Sequence, residues 1–172
     1  MKDQDSEIRI YVACLAAYNN GILHGRWINA HQEAWAIWDE VSAMLQTSPI
    51  EQAEEWAIHG YEGFDGVTIS EWESFDCVSQ LAAFIAEHGE LGGKLIDYFG
   101  SVEESENALN DRYAGEYRSS ADFAQDMTEQ GTAIPDNLQY YIDWEAMARD
   151  WEINDILTFQ TGFEAVHIFW RA

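Results

Sequence analysis

The sequence predicts an α+β chain with a helical middle. Three observations carry this: apolar alternation near the N-terminal end, apolar residues recurring every three or four positions through the centre, and two short apolar runs around a glycine near the C-terminal end. Ile8, Ile10, Val12 and Cys14 alternate with Arg9, Tyr11 and Ala13, as in a strand. Tyr18-Asn19-Asn20-Gly21 reads as a turn, because Asn-Gly tolerates positive φ, and Leu23 to Ile28 as the partner strand. Trp35, Trp38, Val41 and Leu45 suggest an amphipathic helix, and this spacing is core-like for both tryptophans. Trp56, Ile58 and Tyr61 suggest a third short strand, ended by a loop with Gly60, Gly63 and Gly66.

Helices dominate the middle. Ser70-Glu71-Trp72-Glu73 has the form of a capping box, with Ser70 as N-cap. Phe75, Val78, Leu81, Phe84 and Ile85 give a helical stripe closed by Gly89; Leu91, Leu95, Ile96 and Phe99 give a second, closed by Gly100. Ser101-Val102-Glu103-Glu104 is another capping box and opens a third helix. The last third begins near Asp111. Ser119 or Ser120 caps a helix carrying Phe123 and Met127, with Gly131 at its end. Pro135 followed by Leu138, Tyr141, Ile142 and Met147 suggests a further helix. Ile156 to Gln160 and Val166 to Trp170 are a hairpin candidate around Gly162.

The charge is abnormal. Asp and Glu number 32 against 8 Lys and Arg, a net charge of -24. Residues 1–70, 71–110 and 111–172 hold 11, 9 and 12 acids against 3, 1 and 4 bases, so each segment nets -8. Between Arg26 and Lys94 lie 67 residues without a base, carrying 13 carboxylates. An ordinary helix surface intersperses signs to gain i,i+4 pairs; here that small stabilisation gives way to a field of one sign. Such a chain repels phosphates and anionic membranes, which argues against nucleic acid or a membrane surface as its partner. It favours a strongly basic partner, although composition by itself is also that of a solvated or halophilic surface. The hydrophobic fraction of 47% and aromatic fraction of 14% are enough to build cores.

Other chemistries find little support. His24, His31, His59, His88 and His167 are dispersed and form no zinc spacing; Cys14 and Cys77 are expected as buried free thiols rather than a disulfide. No metal, cofactor or catalytic constellation is expected. His31-Gln32-Glu33 reads as the start of a helix, and no phosphate loop or Gly-x-Ser-x-Gly motif occurs. Carboxylate pairs such as Asp39-Glu40, Glu54-Glu55 and Glu103-Glu104 read as solvated faces. No signal sequence or membrane span is seen, so a cytoplasmic protein is expected.

Several segments, in order along the chain, resemble the ArdA antirestriction family. They are Ile10-Tyr11-Val12-Ala13, Tyr18-Asn19-Asn20-Gly21, His24-Gly25-Arg26-Trp27-Ile28, and the run from Glu54 to Phe64. Tyr113 to Ser119 with Asp122-Phe123-Ala124 follow, and the most specific is the run from Ile134 to Asp150. The resemblance implies three small domains in an elongated, curved chain, and a homodimer. They correspond to residues 1–70 (sheet plus helix), 71–110 (helical) and 111–172 (α+β). It further implies mimicry of bent duplex DNA and inhibition of type I restriction-modification enzymes, without catalysis. The acids expected to meet the target are Glu51, Glu54, Glu55, Glu62, Asp65, Glu71, Glu73, Asp76, Glu87, Glu90, Asp97, Glu103, Glu104, Glu106 and Asp111. The family's antirestriction motif corresponds to about Gly131 through Trp144, placing Ile134, Pro135, Leu138, Tyr141 and Ile142 at the dimer contact. A dimer carries twice the charge, which at one charge per roughly 1.7 Å matches about 24 base pairs of duplex. Two other readings fit the composition: a mimic aimed at a different DNA-binding protein, and an acidic carbohydrate-active enzyme.

Overall fold

The computed structural model describes residues 7–171, which form six helices and two three-stranded antiparallel sheets. The fold is α+β. The chain divides into two compact units, 1–97 and 98–172.

The first unit is built on β1 (Arg9–Cys14), the central strand between β2 (Gly25–Asn29) and β3 (Trp56–Glu62). Alternation sets its faces: Ile10 and Val12 are fully buried, while Arg9 and Tyr11 are half-exposed. Tyr11 pairs with Gly60 and Val12 with Ile58, so His59 is an extra residue that bulges β3. The expected turn after β1 holds a single helical turn, α1 (Leu15–Asn19), before Gly21 takes φ +74°. β2 accordingly starts at Gly25, two residues later than the apolar run suggests.

Helix α2 (Ala34–Gln46) buries Ile37, Val41 and Met44, spaced i, i+4, i+7, against the sheet. Burying each such side chain contributes about 1.5–3 kcal/mol. Trp35 and Trp38 do not join this core; they are 67% and 47% exposed, because they lie on the helix's other side. Trp38 covers Trp56 and Phe75 from outside, with ring centroids 6.0 and 5.2 Å away.

Helix α3 (Phe75–Phe99) is capped by Ser74, whose Oγ accepts the Cys77 N–H at 3.1 Å. Ser70 is not the cap. Its hydroxyl accepts the Trp72 N–H at 3.3 Å in a separate turn, whose Glu71 carbonyl accepts the Ile58 N–H at 2.9 Å. This pinning to β3 delays the helix by four residues. Gly89 breaks α3 at φ 58°, ψ -138°, a conformation that disfavours any residue with a Cβ, so two apolar stripes meet at a kink. Beyond it Gly93 lies flush on the Asp65 carbonyl, where a Cβ would collide.

The second unit opens with Tyr98 and Phe99. Ser101 caps α4 (Val102–Asp111) by accepting the Glu104 N–H at 3.2 Å. β4 (Tyr113–Tyr117) then pairs with β6 (Ala165–Trp170), which also pairs with β5 (Ile156–Gly162) in a hairpin turning at Phe163 and Glu164. Ser119 caps α5 (Ser120–Gly131), and Asp143 caps α6 (Trp144–Asn154). One face of the sheet buries Phe123, Ile156 and Ile168 beneath Tyr117, Met127, Trp151 and Trp170. The other packs Phe159 and Phe169 with Tyr98 and Phe99.

The helix expected from Pro135 does not form. Residues 132–138 are non-helical, Gln139–Tyr141 make one 3-10 turn, and regular helix resumes only after Asp143. Its apolar residues have no core to cover: Leu138 is 48% and Tyr141 85% exposed. A helical face earns stability chiefly through packing, and this segment has little.

Candidate partner-binding surface

Folding must hide apolar surface and cannot cheaply hide charge. Among the described residues no carboxylate is buried; Glu40, Glu73, Asp126 and Glu152 are half-buried, and the others are exposed. In the first unit, Glu51, Glu54 and Glu55 stand in the loop between α2 and β3, Glu62 ends β3, and Asp65 occupies a tight loop at φ 47°. Glu71 and Glu73 flank Trp72, and Asp76, Glu87, Glu90 and Asp97 lie along α3. In the second unit, Glu103, Glu104, Glu106 and Asp111 lie along α4. All fifteen are exposed except Glu73. Their exposure does not set them apart from Glu33, Asp39, Glu116, Asp122, Glu129, Asp136 or Asp150, which are equally exposed.

Helix polarity helps to hold this charge. Asp76, Glu103, Glu104, Asp122 and Glu145 occupy first turns, where a carboxylate is stabilised by about 0.3–1 kcal/mol. No described α-helix carries a base in its last turn.

Three of the few bases bond backbone carbonyls. Arg26 reaches the Glu40 carbonyl at 3.5 Å. Arg112 donates to the Arg171 carbonyl at 2.6 Å and lies over Phe99, while Arg171 donates to the Glu152 carbonyl at 2.7 Å. A carbonyl takes the hydrogen bond without cancelling any carboxylate. Only three Arg or Lys ion pairs form among the described residues, Arg9–Glu62, Lys94–Glu90 and Arg118–Glu164, and the His88 ring lies 3.7 Å from Glu87. Of the fifteen acids, only Glu62, Glu87 and Glu90 have such a neighbour.

The dimer-contact candidates lie together on the segment before α6. Pro135, Leu138 and Tyr141 are exposed, Ile134 and Ile142 are half-buried, and the neighbouring Tyr140 is 92% exposed. Tyr140 stands outside the helical spacing of Leu138, Tyr141 and Ile142, so it carried no sequence signal.

Elsewhere titratable groups serve the fold. The Tyr113 hydroxyl lies 2.7 Å from His167 Nδ1; burial lowers the His167 pKa, partly opposed by the Glu116 carboxylate. Burial chiefly, and then Glu73, push the Cys77 thiol up to about 11, which keeps it protonated and unreactive at neutral pH. Cys14 is a buried free thiol as expected, whereas Cys77 is only half-buried. Among the described residues no three His, Cys, Asp or Glu side chains converge on a metal position. No described helix is long and apolar enough to cross a membrane.

These features define an acidic α+β protein that carries a field of exposed carboxylates. A family model described as Antirestriction protein (ArdA) matches residues 10–165. The chain belongs to the ArdA antirestriction family. No curated protein is significantly similar to it.

Proposed function

We propose that this antirestriction protein acts by imitating duplex DNA. Its carboxylates occupy the DNA-binding groove of the methyltransferase core of a type I restriction-modification enzyme, where Lys and Arg otherwise meet phosphates. The observation that carries the reading is a surface on which no described carboxylate is buried and most have no basic neighbour, while three of the few arginines, Arg26, Arg112 and Arg171, bond backbone carbonyls instead. Carboxylate-bearing residues at i and i+3, such as Glu103 and Glu106, have Cβ atoms about 5–6 Å apart on a rigid support. Phosphate contacts carry no base sequence, so one mimic serves enzymes of differing specificity.

The action is stoichiometric occupancy in the cytoplasm, without catalysis or cofactor. The acting form is a homodimer joined through the apolar segment around Ile134, Pro135, Leu138, Tyr141 and Ile142. Residues 1–70, 71–110 and 111–172 act as three successive carboxylate-bearing segments, with the fifteen acids from Glu51 to Asp111 at the target. The test is DNA cleavage and methylation by a purified type I enzyme. Both activities fall together as the protein approaches stoichiometric amounts; unchanged activities in excess protein reject the reading.

A further inference from the structure

A cleft in the first unit lies between the N-terminal turn of α2 and helix α3, which are tied by the Ser79 hydroxyl donating to the Gln32 carbonyl at 2.7 Å. Glu33 and Trp35 line it, over the small side chains of Ala36 and Ala83. Trp35 is 67% exposed, and among the described residues its ring takes part in no aromatic pair, whereas Trp38 is fixed against Trp56 and Phe75. Glu33 occupies the N-cap position of α2, yet its side chain makes no capping bond. Among the described residues its carboxylate has no ion partner. The cleft thus joins an open π face to a free carboxylate. It also falls in the stretch between Arg26 and Lys94 that contains no Lys or Arg, and the one imidazole that lines it is His31.

We infer that this cleft receives an arginine side chain from a basic protein partner, with the guanidinium stacked on the Trp35 indole and hydrogen-bonded to Glu33. The identity of that partner rests on the DNA-mimic reading; the preference for arginine does not. A guanidinium is planar and weakly hydrated, stacks on an indole and donates in a fork that fits a carboxylate. An ammonium is compact and strongly hydrated, and gains less from the ring. The N-terminus of α2 opposes a cation with about half a charge, which the full charge of Glu33 exceeds. An anion would meet Glu33, with Asp39 one turn beyond Trp35 on the same helix.

The test titrates the full chain at pH 8 with a nona-arginine peptide and, separately, a nona-lysine peptide, following the tryptophan indole N–H resonances. Trp35→Phe assigns the Trp35 signal, and the assembly mass is measured for every variant. The arginine peptide is expected to move the Trp35 resonance and to bind about threefold or more tighter than the lysine peptide. Trp35→Ala and Glu33→Gln each reduce that preference, with Trp35→Phe intermediate because a smaller ring remains. Equal affinities for the two peptides, or an unmoved Trp35 resonance, overturn the inference. A change of assembly mass in Trp35→Ala also overturns it, by assigning the ring to a contact between copies. No restriction enzyme enters this experiment, so its failure and that of the inhibition assay are separable.

Discussion

Arg9 holds Glu62 across the β1–β3 pair: Nη2 lies 2.8 Å and Nε 2.9 Å from the same carboxylate oxygen. The guanidinium also sits 4.4 Å over the Trp27 ring, so it ties all three strands of the first sheet. Glu62 is therefore partly neutralised from within, unlike most acids of the surface. Glu62→Gln is expected to lower stability by no more than about 1 kcal/mol, since the pair is half-exposed and screened. Urea denaturation measures it. The same substitution leaves inhibition closer to the parent than loss of an unpaired acid does.

Distributed contacts predict shallow single effects and steep combined ones. If each exposed carboxylate contributes about 0.5 kcal/mol, Glu106→Gln weakens inhibition about twofold, and Glu103→Gln, Glu106→Gln and Asp111→Asn together about tenfold. Titrating enzyme inhibition at several salt concentrations checks both. The triple variant also shows a weaker salt dependence. Abolition by one neutral substitution contradicts distributed mimicry.

Phe123 is fully buried among Tyr117, Trp151 and Trp170. Phe123→Ala removes the centre of the second unit's core and is expected to cost about 3–5 kcal/mol. Chemical denaturation followed by tryptophan fluorescence measures the loss.

His167 gives stability a pH dependence of known sign. Burial holds its pKa below the ordinary 6.5, so unfolding lets it take up a proton more readily. Its contribution is full above about pH 6.5 and is lost as pH falls toward the depressed folded value. Protonating the carboxylates relieves self-repulsion in the same range and acts oppositely, so the comparison is between parent and His167→Gln. The variant, although less stable at pH 8, loses less stability between pH 7 and pH 5, as read by thermal midpoints.

Leu138 and Tyr141 are exposed on a segment with little packing of its own. A charge at either position, Leu138→Glu or Tyr141→Glu, is expected to shift the assembly from dimer to monomer, read by light scattering. The folded state should survive, because neither side chain is in the core. A parent protein that is already monomeric contradicts the dimer.

Much of the fold is legible in the residues. β1 shows its faces through alternation, Ser101 is the cap expected and Ser119 one of the two candidates for its helix, and Gly89 stands where two helical stripes part. β4 gave no signal: Tyr-Ala-Gly-Glu-Tyr has no apolar alternation, and it is strand because β6 offers an edge. The Ser70 box has the right letters, but the Glu71 carbonyl is held by Ile58, a contact distant in sequence. The run from Pro135 has helical spacing without a core to face, and spacing alone cannot report that. The acidic surface was legible because charge is expelled wherever a chain folds. Which acids meet the target was not, because exposure is common to nearly all of them.

The most direct measurement is displacement of a labelled target duplex from the methyltransferase core of a type I enzyme. Added protein should release the duplex completely at about one dimer per enzyme, and progressively less well as salt rises. A stable ternary complex, with the duplex still bound while restriction is blocked, contradicts occupancy of the DNA groove.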